Sequence, residues 1–345
     1  MPKHKIGIVG ATGYTGSELV RLLTNHPKVQ IDIITSESKA GQKFSEVNSH
    51  FNGLTDMVLE PLEKLQDYDL DLVFLALPHG VSMDFIKDWG YEDFRVIDLS
   101  GDFRLQSAEI YEQWYGKKHL DPDSIDDAVF GLSELFRNEI RNAQLVANPG
   151  CYPTSAILAL APLLKNNFIN QSNIIVDSKS GVTGAGATAS PKTHFPDVFG
   201  NFSAYGLRNH RHTPEIQTSL ERYSGDKTEI LFTPHLIPID RGILTTTYST
   251  PKRKLDKKFI EDTLFSFYEK EHFIRVVDDP PNVKNVRGSN YCDIYVTYDE
   301  RTNKIVTVST IDNLVKGAAG QAVQNMNIMF GYIERTGLDI IPLSP

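Results

Sequence analysis

Cys151 stands near the middle of the chain, in the run Asn148-Pro149-Gly150-Cys151-Tyr152-Pro153-Thr154. Pro149-Gly150 is a turn dipeptide, and the apolar run after Thr154 reads as a helix over Ser155 to Lys165. A thiol at the mouth of a helix meets backbone N–H donors and the positive end of the helix dipole, both of which favour a thiolate. A thiolate attacks an acyl carbon well, and the thioester it forms accepts hydride more readily than an ester does. The residue therefore points to thioester formation coupled to hydride transfer. Lowering the thiol pKa cannot do this alone. A drop from about 8.5 to about 6.5 raises the thiolate fraction at neutral pH about 25-fold, and the accompanying fall in nucleophilicity returns about eightfold of it. Orientation and a placed proton donor must supply the rest. The competing reading is a small buried apolar residue. Cys292, which follows Ser289-Asn290-Tyr291 into an alternating strand, reads as structural.

The proton donor is sought in Asn209-His210-Arg211-His212-Thr213-Pro214-Glu215-Ile216. Pro214 suits the first turn of a helix with Thr213 as its N-cap, which leaves His210 and His212 on the approach loop. Arg104, in Ser100-Gly101-Asp102-Phe103-Arg104-Leu105, and Arg241, in Pro238-Ile239-Asp240-Arg241-Gly242, are candidate anion anchors, because guanidinium gives forked recognition of phosphate or carboxylate. The alternative for each is a surface ion pair. Asn148, Arg211 and His212 complete the candidate substrate contacts.

Gly10-Ala11-Thr12-Gly13-Tyr14-Thr15-Gly16 joins an apolar strand to an amphipathic helix, the setting in which a glycine loop cradles a dinucleotide pyrophosphate. Gly10, Thr12, Gly13, Tyr14, Thr15 and Gly16 are the candidate cofactor residues there. The spacing is G-x-x-G-x-x-G rather than G-x-G-x-x-G, a departure from a strict NAD fingerprint. After the second strand, Ser36, Ser38 and Lys39 suit the 2′-phosphate of NADP(H), while Glu37 leaves NAD open. A second loop, Ser180-Gly181-Val182-Thr183-Gly184-Ala185-Gly186, places Ser180, Gly181 and Gly184 where they could close over a nicotinamide, or else forms a flexible crossover.

These residues need a scaffold. Strand-like runs at 5–10, 29–35, 71–78, 95–100 and 144–147 alternate with helical stretches, which predicts a parallel sheet of the dinucleotide-binding type. Runs at 173–179, 229–237, 243–249, 292–298 and 304–311 mostly alternate apolar and polar residues, as antiparallel strands do, with a charged helix near 255–270. Asp312 to Gly331 reads as a long helix that packs back on the first domain. The fold class is therefore α/β: a Rossmann-type NADP-binding domain, residues 1–149 plus 313–345, and an α+β catalytic and dimerisation domain, residues 150–312, with a mainly antiparallel sheet.

The chain has 345 residues, enough for about two domains without disulfides. Its two cysteines show no metal spacing, which predicts a reducing, cytoplasmic setting and no metal. A net charge of −9 argues against a nucleic-acid partner, and no apolar run approaches a membrane span. The N-terminus shows no signal-peptide pattern.

Together, the Gly10–Gly16 loop, Val96 to Leu105, Asn148 to Thr154, Ser178 to Gly186, His210 to Glu215 and Ile311 to Gly317 resemble the N-acetyl-gamma-glutamyl-phosphate reductase family over nearly the whole chain. The resemblance implies NADPH-dependent reduction of an acyl phosphate to a semialdehyde in arginine biosynthesis, with Cys151 as nucleophile, His210 as acid/base, Asn313 near the nicotinamide, and a homo-oligomer of two or four subunits. Two rivals remain: an aspartate-semialdehyde dehydrogenase-like acyl-phosphate reductase, and a non-catalytic NADP-sensing regulator. A Tyr-x-x-x-Lys oxidoreductase is disfavoured, because Tyr223 to Lys227 spans a turn and Tyr248 to Lys252 contains Pro251.

Overall fold

The computed structural model describes residues 2–344. Its contacts divide the chain into two units: Met1–Glu112, Lys117–Pro149 and Ala318–Asp339, and then Gln113–Gly116, Gly150–Gly317 and Ile340–Pro345. The sequence reading placed the return to the first domain at residue 313 and kept it there to the end. The chain instead re-enters at Ala318 and leaves again after Asp339.

The first unit is built on a seven-stranded sheet of β1 (His4–Val9), β2 (Val29–Thr35), β3 (Leu59–Glu60), β4 (Leu72–Leu75), β5 (Arg95–Asp98), β6 (Val129–Phe130) and β7 (Leu145–Ala147), in the order β3-β2-β1-β4-β5-β7-β6. All its pairings are parallel. The five longer strands are the ones the apolar runs predict. β3 and β6 have two residues each, too few to show a period. The order turns at β1, so the loop after β1 opens at a switch point, where ligands of such sheets bind. The Gly320–Met329 helix packs on the Tyr14–Thr24 and Ser133–Asn142 helices. It buries Gln321, Gln324, Asn325 and Asn327, whose amides therefore need partners inside the unit. Asn325 donates to the Gly131 carbonyl and accepts from the Ser133 hydroxyl, at 2.7 and 2.6 Å.

The second unit holds β8 (Ile174–Ser180), β9 (Ser203–Ala204), β10 (Ile230–Leu236), β11 (Ile243–Ser249), β12 (Ile274–Val276), β13 (Cys292–Asp299) and β14 (Lys304–Ile311), in the order β12-β13-β14-β11-β8-β10-β9. Four of its pairings are antiparallel, while β8 with β10 and β12 with β13 run parallel. Its strands alternate buried with half-exposed residues, because the Cys151–Lys165 and Lys257–Tyr268 helices pack against one face. The Cys151–Lys165 helix is apolar all round and buried along nearly its whole length, as a core helix must be.

At the carboxyl edge of the first sheet, two carboxylates are fully buried. Asp102 accepts the Gly80 N–H at 2.8 Å, the Met83 N–H at 3.2 Å and the Tyr111 hydroxyl at 3.0 Å, which ties the start of the Ser82–Trp89 helix to β5. Asp98 accepts the Ser100 N–H and hydroxyl at 2.9 and 2.7 Å. Burial, and then the neighbouring Asp102 carboxylate, pushes Asp98 up to about 6. A carboxyl raised in the folded state holds its proton to higher pH than in the unfolded chain. Its contribution to stability is therefore full below about pH 4 and lost as pH rises through about 6. Asp98→Asn leaves Ser100 a partner, since the hydroxyl can reverse. The urea midpoint of Asp98→Asn is expected to match the wild type at about pH 3.5 and to exceed it at about pH 7.5. A wild type that gains on the variant as pH rises would show that the buried group prefers to be charged.

Candidate active site

Gly10 leaves β1 with φ of 83°, and a Cβ there would lie 2.5 Å from the Ala76 carbonyl oxygen. A Cβ on Gly16 would overlap the Gly10 carbonyl and the Ala11 backbone. These two glycines let the turn and helix lie close to the sheet. Gly13 serves differently. It is the N-cap of the Tyr14–Thr24 helix, and the nearest atom to a Cβ there is 3.9 Å away, so the space above the helix start is open. No side chain caps this helix and its first turn has no acidic residue. Its leading amides can take phosphate oxygens, so the loop fits a dinucleotide. Thr12, in the two-residue spacer between Gly10 and Gly13, sets its hydroxyl 3.3 Å from that of Ser36. Glu37 accepts the Leu62 N–H at 3.0 Å, while Ser38 and Lys39 remain exposed. That edge offers hydroxyls and a lysine to a 2′-phosphate.

In the second unit the helix that carries Cys151 begins at that residue, not after Thr154. Gly150 is the N-cap, with φ −70° and ψ 160°. Pro153 is accommodated in the first turn, where its missing N–H has no intrahelical partner to lose, and the Thr154 hydroxyl donates to the Gly150 carbonyl at 3.0 Å. Cys151 thus occupies the first helical position and is half-buried, whereas Cys292 is buried. The Gly150 N–H donates to Glu215 Oε1 at 2.7 Å. A Cβ on Gly317 would lie 2.7 Å from Cys151 Cβ, so the chain passes directly against Cys151.

The histidine helix begins at His212 with Arg211 as N-cap, two residues earlier than the Thr213 cap the sequence suggests. The His212 N–H donates to His210 Nδ1 at 3.1 Å. An accepting Nδ1 carries no proton, so neutral His210 holds its proton on Nε2. The His210 ring stands edge-on to Tyr152, Tyr205 and Phe232, with centroids 5.7, 5.4 and 5.3 Å away. Burial, with Arg211 adding to it, pulls His210 down to about 4. His212 Nε2 lies 4.0 Å from Glu215 Oε2. The Tyr152 and Tyr205 hydroxyls lie 3.0 Å apart, and burial pushes both phenols up.

Asp312 and Asn313 anchor the second glycine loop. Asn313 Oδ1 accepts the Gly242 N–H at 2.7 Å, and its Nδ2 donates to the Thr183 hydroxyl at 3.0 Å. Asp312 accepts the Leu314, Val315 and Gly288 N–H groups at 2.9, 3.2 and 2.7 Å and pairs with Arg241 at 3.0 Å. The chain then makes a π-turn over Val315–Ala319, so the regular helix starts only at Gly320. The Gly181–Gly186 loop is therefore fastened rather than free. Ser180 is buried, with its hydroxyl on the Gly181 carbonyl at 3.0 Å.

Comparison with known proteins gives these features a family. Residues 5–143 match the semialdehyde dehydrogenase NAD binding domain, and residues 151–313 match the semialdehyde dehydrogenase dimerisation domain. An N-acetyl-gamma-glutamyl-phosphate reductase of Pelotomaculum thermopropionicum is 49% identical over 337 residues, 97% of each chain. One of Methanosphaera stadtmanae is 46% identical over 348 residues, covering both chains fully. The chain belongs to the N-acetyl-gamma-glutamyl-phosphate reductase family. The fold is shared with aspartate semialdehyde dehydrogenase II of Vibrio cholerae, solved in complex with ASA, with a TM-score of 0.73 at 18% identity over 96% of this chain and 99% of that one. It is shared also with the Candida albicans aspartate semialdehyde dehydrogenase solved with NADP, with a TM-score of 0.67 at 15% identity over 95% of this chain and 99% of that one.

Within this family member, several expected substrate contacts are engaged elsewhere. Asn148 is fully buried: its Nδ2 donates to the Ala318 carbonyl at 3.1 Å and its Oδ1 accepts from Asn325 at 3.0 Å. Arg104 is buried too, donating to the carbonyls of Asn148 and Leu99 at 2.7 Å each. Both side chains secure the turn that leads to Cys151, because a strand ending beside a short turn leaves carbonyls that need donors. Arg241 is held by Asp312, and the exposed Arg211 lies over the Tyr115 ring at 5.3 Å. Sequence reasoning missed Glu215, Asp312 and Gly317. The signal for Glu215 was an acidic residue in the first turn of a helix opened by a histidine. That for Gly317 was a glycine three residues before the regular helix.

Gly317→Ala tests how tightly Cys151 is seated. The variant is expected to fold, yet to slow alkylation of Cys151 by iodoacetamide at neutral pH about fivefold or more, since the new Cβ moves the thiol off the helix mouth. A rate within about twofold of wild type would show that Cys151 does not depend on this contact.

Proposed function

We propose that this chain reduces an N-acetyl-gamma-glutamyl phosphate to the corresponding N-acetylglutamate semialdehyde, with NADPH as reductant and inorganic phosphate as co-product. The observation that carries the reading is Cys151 at the first position of a helix, half-buried, in the same unit as two imidazoles. The other unit presents a glycine loop that fits a dinucleotide. Bound NADPH supplies the hydride.

The rest is the work of this chain's residues. Cys151 attacks the acyl carbon, and the carbon–oxygen bond to phosphate breaks with its electron pair leaving on phosphate. The thiol proton passes to that leaving group by way of the imidazoles. After hydride addition the thiohemiacetal collapses, the carbon–sulfur bond breaks, and the thiol recovers a proton drawn from solvent. One proton is consumed per turnover. His210, neutral with its proton on Nε2, suits hydrogen-bond donation to the substrate oxygen better than proton release, because an imidazole pulled down to about 4 is seldom charged at neutral pH. Ser36, Ser38 and Lys39 favour the phosphorylated dinucleotide, and the fastened Gly181–Gly186 loop with Asn313 is assigned to the nicotinamide end.

The chain is also a homo-oligomer in this reading. One face of the second unit's sheet carries Ile175, Leu244, Val306, Val308 and Tyr295 half-exposed, with Leu231 and Tyr248 exposed. A second copy of the chain would cover these apolar groups. The aspartate-semialdehyde alternative is less favoured, since the chain is 45–49% identical to the reductases over nearly full length and only 15–19% identical to those dehydrogenases.

The deciding assay is NADPH formation from N-acetylglutamate semialdehyde, NADP⁺ and phosphate, with free aspartate semialdehyde as the competing substrate. Turnover that requires phosphate and prefers the N-acetylated aldehyde is expected, and Cys151→Ala should lower it by about 10³-fold or more. Equal turnover in Cys151→Ala would remove the thioester, and binding of NADP without any turnover would favour the sensor.

A further inference from the structure

Glu215 has no part in the roles assigned so far, yet it is 1% exposed and sits between the two groups that have them. One carboxylate oxygen accepts the Gly150 N–H at 2.7 Å. The other faces His212 Nε2 at 4.0 Å. Gly150 is the N-cap of the helix that Cys151 opens, and His212 is the first residue of the His212–Ser224 helix. A single carboxylate thus spans the starts of two helices that pack on each other. Both helix starts offer partial positive charge, which makes the site favourable for an anion.

We propose that Glu215 is a positioning residue for the thioester chemistry: it fixes the turn that presents Cys151 and orients His212, which is the imidazole that carries the proton. The two histidines then divide the work. His210 has its Nδ1 occupied by the His212 N–H, an aromatic cage and, among the described residues, no carboxylate partner. His212 has a buried carboxylate beside it, the arrangement that steadies an imidazolium and fixes its ring. Among the described residues, the rings of His210 and Tyr152 pack against His212 with centroids 4.9 and 5.8 Å away, and Cys151 and Arg211 adjoin Gly150 and His212 in the chain. From β10, His235 is paired instead with Asp177 at 3.1 Å.

This inference rests on the proposed reductase reading, and the test separates the two. Glu215→Gln keeps an acceptor for the Gly150 N–H and removes the charge. Glu215→Ala removes both. Three quantities are read on the full-length protein: the melting temperature, kcat and KM across pH, and the pH dependence of Cys151 alkylation by iodoacetamide, which needs no substrate. Glu215→Gln should melt with the wild type, lose about tenfold or more in kcat with KM within about twofold, and move the acid limb of both pH profiles to lower pH, because removing a negative charge lowers the pKa of its neighbours. His212→Asn should abolish the limb that Glu215→Gln shifts, and His210→Asn should leave it in place. Wild-type kcat and an unshifted limb in Glu215→Gln would overturn the proposal, as would a limb that vanishes in His210→Asn alone. If the wild type lacks phosphate-dependent turnover, the reductase reading fails while the alkylation profiles still report on Glu215.

Discussion

Between the end of β7 at Ala147 and the first helical residue, Cys151, the chain has three residues in which to turn. A strand carbonyl, a proline without an N–H and a helix start are crowded together there, and few of their polar groups can satisfy one another. The bonds come from distant parts of the sequence. Within the first unit, Arg104 takes the Asn148 carbonyl, and Asn325 and Ala318 hold the Asn148 side chain. Within the second, Glu215 takes the Gly150 N–H and Gly317 closes on Cys151. Cys151 itself stays half-buried beside this turn.

The same device recurs at other helix starts. Asp102 accepts amides at the beginning of the Ser82–Trp89 helix, Asp312 accepts those that open the π-turn, and Glu215 accepts the amide before Cys151. A buried carboxylate is costly unless several donors surround it, and amides at a helix start supply them in a fixed direction. Such bonds are short and directional, so they set positions more closely than apolar packing alone would. The arrangement also has a consequence for charge. Where two carboxyls crowd together, as Asp98 and Asp102 do, one of them is pushed toward neutrality.

The glycine loop shows how a departure from a motif can be absorbed. Gly10 and Gly16 are required by contact with backbone, and Gly13 keeps the helix start clear. The spacer between the first two glycines is one residue longer than usual and includes Thr12, whose hydroxyl reaches Ser36 just after β2. The longer spacer thus places a hydroxyl beside the residues that follow β2.

Much of this was legible in the residues. Ten strands, the two-sheet architecture and the motifs at Gly10–Gly16, Cys151 and His210–His212 follow from apolar period, turn residues and residue chemistry, which are local properties. What local pattern could not supply was the start of each functional helix: Cys151 rather than the residue after Thr154, and His212 rather than the residue after Thr213. Nor could it reveal that Asn148, Arg104 and Arg241 turn inward to hold turns and helix starts. The chemistry a side chain can do is written in its type. Whether it does that chemistry or holds backbone depends on which donors and acceptors come near it, and residues sixty to two hundred positions away decide that only when the chain has folded.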